Sequence, residues 1–297
     1  MLTCALWAGA KVTMEKKFNA EQVWQRFCTL PDLNLFMAVP TVYSKLISTF
    51  EAMKPADQAV CAEACKKFRL MVSGSAALPQ PTLQRWKAIT NHTLLERYGM
   101  TEIGMALSNP LHGLRKPGFV GKPLPGVIAR IEGDAKEGGE LLLRGPTIFR
   151  EYWNKPEATA DTFTADGWFK TGDIAATDAD GDFRLVGRAS VDVIKASGYK
   201  ISALEIERLM LEHPDVAECA VVGVVDPTGV YGEEICMMYA SKSGNAIQLD
   251  ALNSWAKKLM APYKLPRRLL LVTELPRNAM GKVNKKELRQ FFPLASK

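Results

Sequence analysis

The sequence of 297 residues lacks an apolar run long enough to cross a bilayer, which excludes a membrane-spanning protein. Cysteine and histidine are scarce, at six and three residues, and no CxxC pair occurs. A structural zinc site is therefore not expected, whereas reduced thiols in an intracellular compartment, cytoplasmic or mitochondrial, are. No basic segment precedes the short apolar stretch at the N-terminus, so we expect a strand and a turn at Gly9 there, not a targeting signal.

The charge lacks a dominant sign, because 38 basic residues are mixed with 32 acidic ones and leave a net charge of +6. A protein that binds nucleic acid would need a basic stripe on one face, so small polyanions such as nucleotides are the expected partners. Two nucleotide-binding motifs are also absent, since neither G-x-x-x-x-G-K-[ST] nor G-x-G-x-x-G occurs. Their absence argues against a P-loop NTPase and a Rossmann dehydrogenase.

The first part of the chain alternates apolar strand patterns with helix patterns, as α/β folds do. Pro40 should stop the first strand, and Thr41 can cap the helix that follows it. From about Gly118 glycine and proline become dense, which indicates a β subdomain. The predicted strands cover 33–39, 68–72, 93–98, 140–143, 167–169 and 183–186, and the predicted helices cover 21–27 and 81 or 82 to 89.

A second unit begins after Arg188 and is typical of a small α+β domain. Ser202 with Glu205, and Asn284 with Glu287, have the spacing of a capping box, which predicts helices that end near 213 and 291. The other predicted elements are strands over 216–225 and 268–272 and a helix over 249–260.

The chain is thus predicted to consist of an α/β large domain with a β subdomain, followed by a small α+β C-terminal domain. The expected bounds are 1–187 for the large domain, 188–192 for a hinge and 193–297 for the small domain. Ser190, Val191 and Asp192 are the candidate hinge positions, and Asp192 is favoured.

Three segments carry polar groups suited to nucleotide chemistry. Tyr98-Gly99-Met100-Thr101-Glu102 ends a strand with a hydroxyl that can donate to a phosphoryl oxygen and a carboxylate that can hold Mg²⁺. Thr171-Gly172-Asp173 has a carboxylate on a tight turn, where it can accept two ribose hydroxyls. Lys282 follows a glycine in a predicted flexible loop over 276–282 and can stabilise charge on a transferring group. Taken singly, each segment also fits a plain turn or a solvated surface charge.

In this order and spacing, the segments resemble the adenylate-forming superfamily of acyl-CoA synthetases, amino-acid adenylation domains and firefly luciferase. The resemblance runs from about Leu33 to the C-terminus, and it implies ATP, Mg²⁺ and coenzyme A as the cofactors. The turn Ser73-Gly74-Ser75-Ala76 would lie beside the adenine and the acyl pocket. The other nucleotide contacts that the resemblance implies are Tyr98 at adenine, followed by Gly99, Thr101 at the α-phosphate, Glu102 at Mg²⁺, and Asp173 and Arg188 at the ribose.

The resemblance further implies an AMP-binding large domain and a small domain that rotates between two steps. Lys282 would bridge the acid's carboxylate and the α-phosphate while the acyl-adenylate forms. After rotation of the small domain, Lys195 and Gly198 would lie on the face that it presents while the coenzyme A thiol attacks the adenylate.

The residue before the Tyr-Gly-Met-Thr-Glu motif is usually small in related ligases and lines the acyl pocket, but here it is Arg97. Strand alternation puts Arg97 on one face, with Leu95 and Gly99, and Tyr98 on the other, with Glu96. A guanidinium buried without a partner would destabilise the protein by several kcal/mol, so the pocket is expected to bind an anion.

A second carboxylate on the substrate would supply this anion. The stretch 95–102, which includes Met100 of the expected substrate site, resembles malonyl-CoA synthetases together with the stretch 36–41. This resemblance implies malonate as the acid. The alternative is that Arg97 pairs with a carboxylate of the protein itself.

The resemblance is incomplete at the N-terminus. The superfamily's Ser/Thr/Gly-rich phosphate loop lies upstream of position 1, so the large domain is expected to be partial and Met1 to match an interior position. One alternative is therefore a catalytically incomplete fragment that binds nucleotide or coenzyme A. Others are an adenylation domain for another carboxylic or amino acid, which Arg97 disfavours, and a luciferase-like oxygenase.

We predict that Arg97→Gly costs about 2–5 kcal/mol of discrimination in favour of malonate over monocarboxylic acids. The physical reason is that the second carboxylate would lose its charged partner. The measurement is kcat/KM for malonate, and an unchanged value in the variant would contradict a contact between Arg97 and the substrate.

Overall fold

The computed structural model describes residues 2–15, 17–136, 138–196, 198–226, 232–278 and 282–293. A search of these residues finds no helix with the length and apolar character that a membrane span requires. Their strands form four sheets, of five, four, two and three strands.

The five-stranded sheet is mixed, with the order β1-β2-β3-β4-β5. Its first three strands are parallel and the last two are antiparallel to their neighbours. The strands are β1 (Leu35–Ala38), β2 (Leu70–Ser73), β3 (Leu95–Met100), β4 (Gly104–Ser108) and β5 (Lys122–Pro123). The helices of this part are α1 (Leu2–Trp7), α2 (Ala20–Thr29), α3 (Pro40–Glu51), α4 (Pro55–Ala64) and α5 (Gln80–Thr90).

Large aromatic side chains fix these helices to the sheet. The rings of Trp24 and Trp86 lie 5.7 Å apart, and Tyr43 meets Trp86 at 4.9 Å. The Tyr43 hydroxyl donates to the Val72 carbonyl at 2.8 Å, and the Trp24 indole donates to the Leu46 carbonyl at 2.9 Å. The Trp86 indole donates to the Met71 sulfur at 3.2 Å. The polar end of each of these three rings thus has a partner, so the rings hold α2, α3 and α5 against β2 without leaving a donor unpaired.

Two predictions for this part are wrong. The N-terminal segment forms helix α1 and not a strand, because leucine and alanine favour helices and a helix satisfies its hydrogen bonds locally. Thr41 does not cap α3, which begins at Pro40 after Val39 and has no side-chain capping bond. Proline suits the first helical position because its φ is fixed and it has no N–H to satisfy.

The predicted β subdomain is an antiparallel sheet with the order β6-β7-β8-β9. Its core contains Leu141, Leu143 and Phe169, and Tyr98 of β3 packs into the same cluster. The elements are β6 (Ile128–Glu132), β7 (Gly139–Arg144), α6 (Pro156–Thr162), β8 (Phe169–Thr177) and β9 (Phe183–Arg188).

The remaining described elements build the small α+β domain from a two-stranded and a three-stranded sheet. In the three-stranded sheet, the two outer strands pair antiparallel and parallel with the central one. The elements are β10 (Val193–Ala196), β11 (Tyr199–Ser202), α7 (Ala203–Met210), β12 (Val216–Val225), β13 (Glu233–Ser241), α8 (Leu249–Ala256), β14 (Arg268–Leu271) and α9 (Lys285–Leu288).

Only one predicted capping box has the expected backbone bond. The Ser202 hydroxyl oxygen accepts from the Glu205 N–H at 3.1 Å, although the Glu205 carboxylate pairs with Lys264 at 2.7 Å and does not reach back. Asn284 makes no capping bond to the backbone, because its amide donates to the Glu287 carboxylate at 2.7 Å.

The helices of the small domain are also shorter than predicted. Helix α7 ends at Met210 and α8 ends at Ala256. Helix α9 ends at Leu288, and a 3-10 turn continues it to Phe291. The hydrophobic pattern used for prediction continues past each helix end, since apolar side chains of turns also pack into the core.

The junction between the two predicted domains lies between β9 and β10. Within the described part of the chain, each hydrophobic cluster lies wholly before Arg188 or wholly after Asp192. The two sides still touch, since the Ser202 hydroxyl donates to the Val186 carbonyl at 2.5 Å. The bounds of the domains and the hinge remain predictions.

Glu96 is a buried carboxylate that ties β3 to the loop before β5. It is 7% exposed, and its Oε1 accepts from the Gly118 N–H at 3.0 Å. Desolvation by burial raises the pKa of Glu96 to about 7, against the opposing effect of the Gly118 hydrogen bond. The folded protein therefore keeps a proton on Glu96 at a pH where the unfolded chain has lost it.

Because the folded pKa is raised, Glu96 destabilises the fold progressively as pH rises from about 4.3 to about 7. We predict that the free energy of unfolding of Glu96→Gln gains about 3 kcal/mol relative to the parent chain over this range, since glutamine keeps the acceptor without the charge. Urea unfolding at several pH values measures this difference, and parallel pH profiles would contradict it.

Candidate functional site

The predicted nucleotide turn lies at the carboxyl edge of the parallel strands. Ser73 ends β2 and pairs in register with Ala38 of β1 and Glu96 of β3. Segments that leave this edge, Gly74 and Ser75 among them, therefore gather where open α/β sheets bind ligands. Ser73 is 1% exposed, and its hydroxyl has no hydrogen-bond partner among the described residues. Such a group costs about 1–3 kcal/mol unless a ligand or water satisfies it.

Arg97 extends from β3 to the same turn. Its Nη1 lies 2.7 Å from the Met105 sulfur and would be 3.2 Å from a Cβ on Gly74. Arg97 is half-buried, and desolvation lowers the pKa of its guanidinium. Glu96 and Tyr98 are buried on the opposite face, as the alternation predicts. The guanidinium thus lies against the turn that the sequence associates with the acyl pocket.

Tyr98, Asp173 and Arg188 form a hydrogen-bonded group that joins two sheets. Asp173 of β8 pairs in register with Arg188 of β9, and its Oδ1 lies 3.1 Å from the Arg188 Nε. The Tyr98 hydroxyl of β3 donates to Asp173 Oδ2 at 2.6 Å. Burial raises the pKa of Asp173, while Tyr98 and Arg188 oppose the rise. The structure therefore brings together three residues that the sequence analysis assigned to one nucleotide.

The predicted role of Tyr98 against adenine remains a prediction. Its ring is 8% exposed and lies in the hydrophobic cluster of the β subdomain. Gly99 follows it at a β-bulge, because the register with β4 shifts between the two residues. Met100 packs partly against the same cluster.

Thr101 and Glu102 occupy the turn that leaves β3. Thr101 is exposed and Glu102 half-buried. Glu102 Oε1 accepts from the Tyr152 hydroxyl at 2.9 Å, which leaves carboxylate lone pairs for a hydrated cation. Such hard oxygen donors fit Mg²⁺. The contact with Tyr152 was missed by sequence reasoning, since no local pattern joins residues 50 positions apart.

A second acidic group, Asp178, Asp180 and Asp182, has the geometry of a cation site. All three carboxylates pair with the Lys116 ammonium, at 2.7, 2.6 and 2.7 Å respectively. These hydrogen bonds raise the pKa of Lys116 and lower that of Asp178. The lysine itself is thus the cation of this group.

The described ends of the predicted Lys282 loop pair with each other, since Arg277 and Val283 form an antiparallel bridge, and these paired ends are called the Lys282 hairpin below. Lys282 is exposed, its N–H donates to Asn278 Oδ1 at 3.0 Å, and its carbonyl accepts from the Asn278 N–H at 2.8 Å. Arg277 of the same hairpin lies 3.4 Å from the Thr41 hydroxyl at the start of α3. This contact brings the hairpin to the edge that carries Ser73. Residues 279–281 of the predicted loop lie outside the described residues.

Lys195 and Gly198 belong to the β10–β11 hairpin, apart from this group. The Lys195 N–H donates to Glu233 Oε2 at 2.7 Å, and its side chain is exposed. Gly198 has a φ of +81°, as a tight hairpin turn requires. Ser197, which lies between them, is outside the described residues. The described contacts of Lys195 are thus within the small domain.

Comparison with known families gives two matches. The AMP-binding enzyme family matches residues 1–153, and the AMP-binding enzyme C-terminal domain matches residues 205–282. The two matches lie on either side of the predicted hinge.

The chain is 49% identical to the malonate–CoA ligase ACSF3, mitochondrial, of Bos taurus over 98% of its own length. It spans 55% of the length of that curated relative. Among solved structures, ATP-bound MatB from Rhodopseudomonas palustris superposes with a TM-score of 0.86 at 33% identity, covering 98% of this chain and 56% of that one. A malonyl-CoA ligase with methylmalonyl-CoA and AMP bound superposes with a TM-score of 0.56 at 39% identity, covering 91% of this chain and 58% of that one.

We predict that Asp173→Asn weakens binding of AMP about 10- to 100-fold, since a charge-assisted hydrogen bond contributes about 1.5–3 kcal/mol. Calorimetric titration with AMP measures the affinity. Asp161→Asn is the matched control, because Asp161 is an exposed carboxylate of α6. Equal affinity in both variants would remove Asp173 from the nucleotide site.

Proposed function

Since the chain belongs to the AMP-binding enzyme family, we propose that it is an ATP-dependent acid–CoA ligase that makes malonyl-CoA from malonate through an acyl-adenylate. The observation that carries the proposal is the group Tyr98, Asp173 and Arg188, because Tyr98 lies on β3 with Arg97 and the turn with Glu102 follows the same strand. A nucleotide and a dicarboxylic acid can then meet at one sheet edge.

Asp173 is suited to a ribose. Its two oxygens accept from Tyr98 and Arg188, and each oxygen has a second lone pair for a ribose hydroxyl. A buried acceptor that receives no hydrogen bond costs free energy, so these oxygens favour a ligand that presents hydroxyl donors to them. Arg188 keeps the carboxylate charged while the ribose binds.

In the first step, a carboxylate oxygen of malonate attacks the α-phosphorus of ATP, and the bond from that phosphorus to the bridging oxygen of pyrophosphate breaks. Lys282 and Thr101 stabilise the charge on the phosphoryl oxygens as it redistributes. Glu102 would hold Mg²⁺, which neutralises phosphate charge when it is bound. In the second step the coenzyme A thiol attacks the acyl carbon, loses its proton and releases AMP, which leaves malonyl-CoA.

The arrangement of the small domain supports assignment of this structure to the first step. The TM-score is higher with the ATP-bound MatB structure than with the product-bound malonyl-CoA ligase, 0.86 against 0.56, although identity is lower, 33% against 39%. A different orientation of the small domain in the product-bound ligase would give scores in that order. We infer that rotation at 188–192 would withdraw Lys282 and present Lys195 and Gly198 for the second step.

Arg97 supports a dicarboxylic substrate. Its guanidinium is half-buried against Gly74, so a substrate carboxylate there would gain a charge-assisted hydrogen bond. A fatty acid or a neutral amino-acid side chain offers no such group, which disfavours an adenylation domain for those acids. The names of the bovine relative and the product-bound structure agree with malonate and methylmalonate chemistry, and the relative's name also supports a mitochondrial location.

We predict that the purified chain with malonate, ATP, Mg²⁺ and coenzyme A releases AMP and forms malonyl-CoA. Lys282→Ala should slow adenylate formation about 10²- to 10³-fold, because a donor to the transition state is lost. Pyrophosphate release measures adenylation, and chromatography measures the thioester.

Lys286→Ala is the matched control, since Lys286 is an exposed lysine four residues from Lys282. It should retain the parent rate. AMP binding without malonate-dependent AMP release would instead identify the chain as a nucleotide-binding fragment without ligase activity, the alternative that its 55% span of the bovine relative keeps open.

A further inference from the structure

A buried ion group lies between the hinge and the loop of Lys282. The Lys285 ammonium is 2.5 Å from Asp192 Oδ1 and 2.7 Å from Glu207 Oε1. The three side chains are 11%, 11% and 13% exposed, so water screens them little. Burial lowers the pKa of Lys285, but the two carboxylates outweigh it and raise the pKa overall, which keeps the ammonium charged. Neither Lys285 nor Glu207 has a role in the reaction derived above.

Asp192 connects this group to the nucleotide site. Its Oδ2 accepts from the Arg188 N–H at 2.9 Å, and its own N–H donates to the Arg188 carbonyl at 2.8 Å. Gly187 permits this approach, because its φ is +141° and a Cβ there would lie 2.4 Å from the Asp192 Cβ. Asp192 thus holds the backbone of Arg188, whose side chain contacts Asp173.

Lys285 connects the same group to Lys282. It is the first residue of α9 and follows Lys282 by three residues, which span at most about 10 Å. On the other side of the hairpin, Arg277 forms an isolated β-bridge with Val283 and pairs with Glu218 at 2.5 Å. The hairpin is therefore fixed at its start through Arg277 and at its end through Lys285.

We propose that Lys285 is a positioning residue of the ligase, whose ion pair with Asp192 fixes the Lys282 hairpin relative to Arg188 and Asp173. The inference rests on the proposed function of Lys282. Lys285 does not touch substrate; it sets where Lys282 can reach. A displacement of about 1 Å at a reacting group can cost about 10²-fold in rate.

The test compares Lys285→Met, which keeps the length without the charge, with Lys285→Arg and with Lys286→Met as the exposed control. We expect Lys285→Met to slow malonate-dependent pyrophosphate release about 10- to 100-fold. Thioester formation from supplied malonyl-adenylate and coenzyme A should change less than about twofold, because Lys282 acts only in the first step. Lys285→Arg should retain most of the parent rate of pyrophosphate release. Lys286→Met should change neither pyrophosphate release nor thioester formation.

A purely structural role would slow both steps alike, and that result, or unchanged rates, would overturn the proposal. If Lys285→Met does not fold, Glu207→Gln with the same two rates decides, since it weakens the same buried ion group at the other carboxylate that contacts Lys285.

A second readout separates this inference from the proposed function. Hydrogen exchange of the Asn278 and Lys282 amides reports the order of the hairpin without any turnover. Faster exchange in Lys285→Met but not in Lys286→Met supports anchoring by Lys285 even if the parent chain makes no adenylate. Unchanged exchange overturns it even if the parent chain is active.

Discussion

The carboxylate of Asp173 is the contact on which the candidate site depends. It lies in the β subdomain, is 9% exposed, and takes a hydrogen bond from Tyr98 of the first sheet and an ion pair from Arg188 of the neighbouring strand. A buried carboxylate without partners would destabilise the fold by several kcal/mol, so both contacts must persist in the native state. One side chain therefore fixes the first sheet against the second, and its remaining lone pairs are the acceptors proposed for the ribose.

The remaining groups of the site follow from strand geometry. Parallel strands end at one edge, so the Ser73 turn and the Arg97 guanidinium lie beside each other, and the turn with Glu102 continues from the same strand. The positive charge of Arg97 near an orphaned Ser73 hydroxyl makes this edge complementary to anions. By contrast, the three carboxylates around Lys116 share a cation of the protein itself, and their ion pairs fasten the loop of Lys116 to the turn between β8 and β9.

The described contacts between the small domain and the rest of the chain are polar. Among the described residues no hydrophobic cluster spans the two parts, so their relative orientation depends on polar contacts such as that between Arg277 and Thr41. Polar contacts at a surface exchange readily with water, whereas the ion group of Asp192, Lys285 and Glu207 is buried and resists exchange. A rigid attachment at the predicted hinge with a weak contact at the far edge would suit the rotation proposed for the small domain.

The sequence by itself determined the α/β part, the β subdomain and the small α+β domain, because apolar periodicity is a local property. It also identified the short polar motif that contains Asp173. It also assigned Tyr98, Asp173 and Arg188 to one ligand, through resemblance to a family. It did not determine helix α1, the start of α3 or the conformation of Asn284, where local propensity and neighbouring groups outweighed the motif. Only the tertiary structure decided the partners of Glu102, Lys116 and Lys285, which lie 50, 62 and 93 positions away. Such pairs form because burial forces distant charges and hydroxyls to satisfy one another, and no local pattern records that requirement.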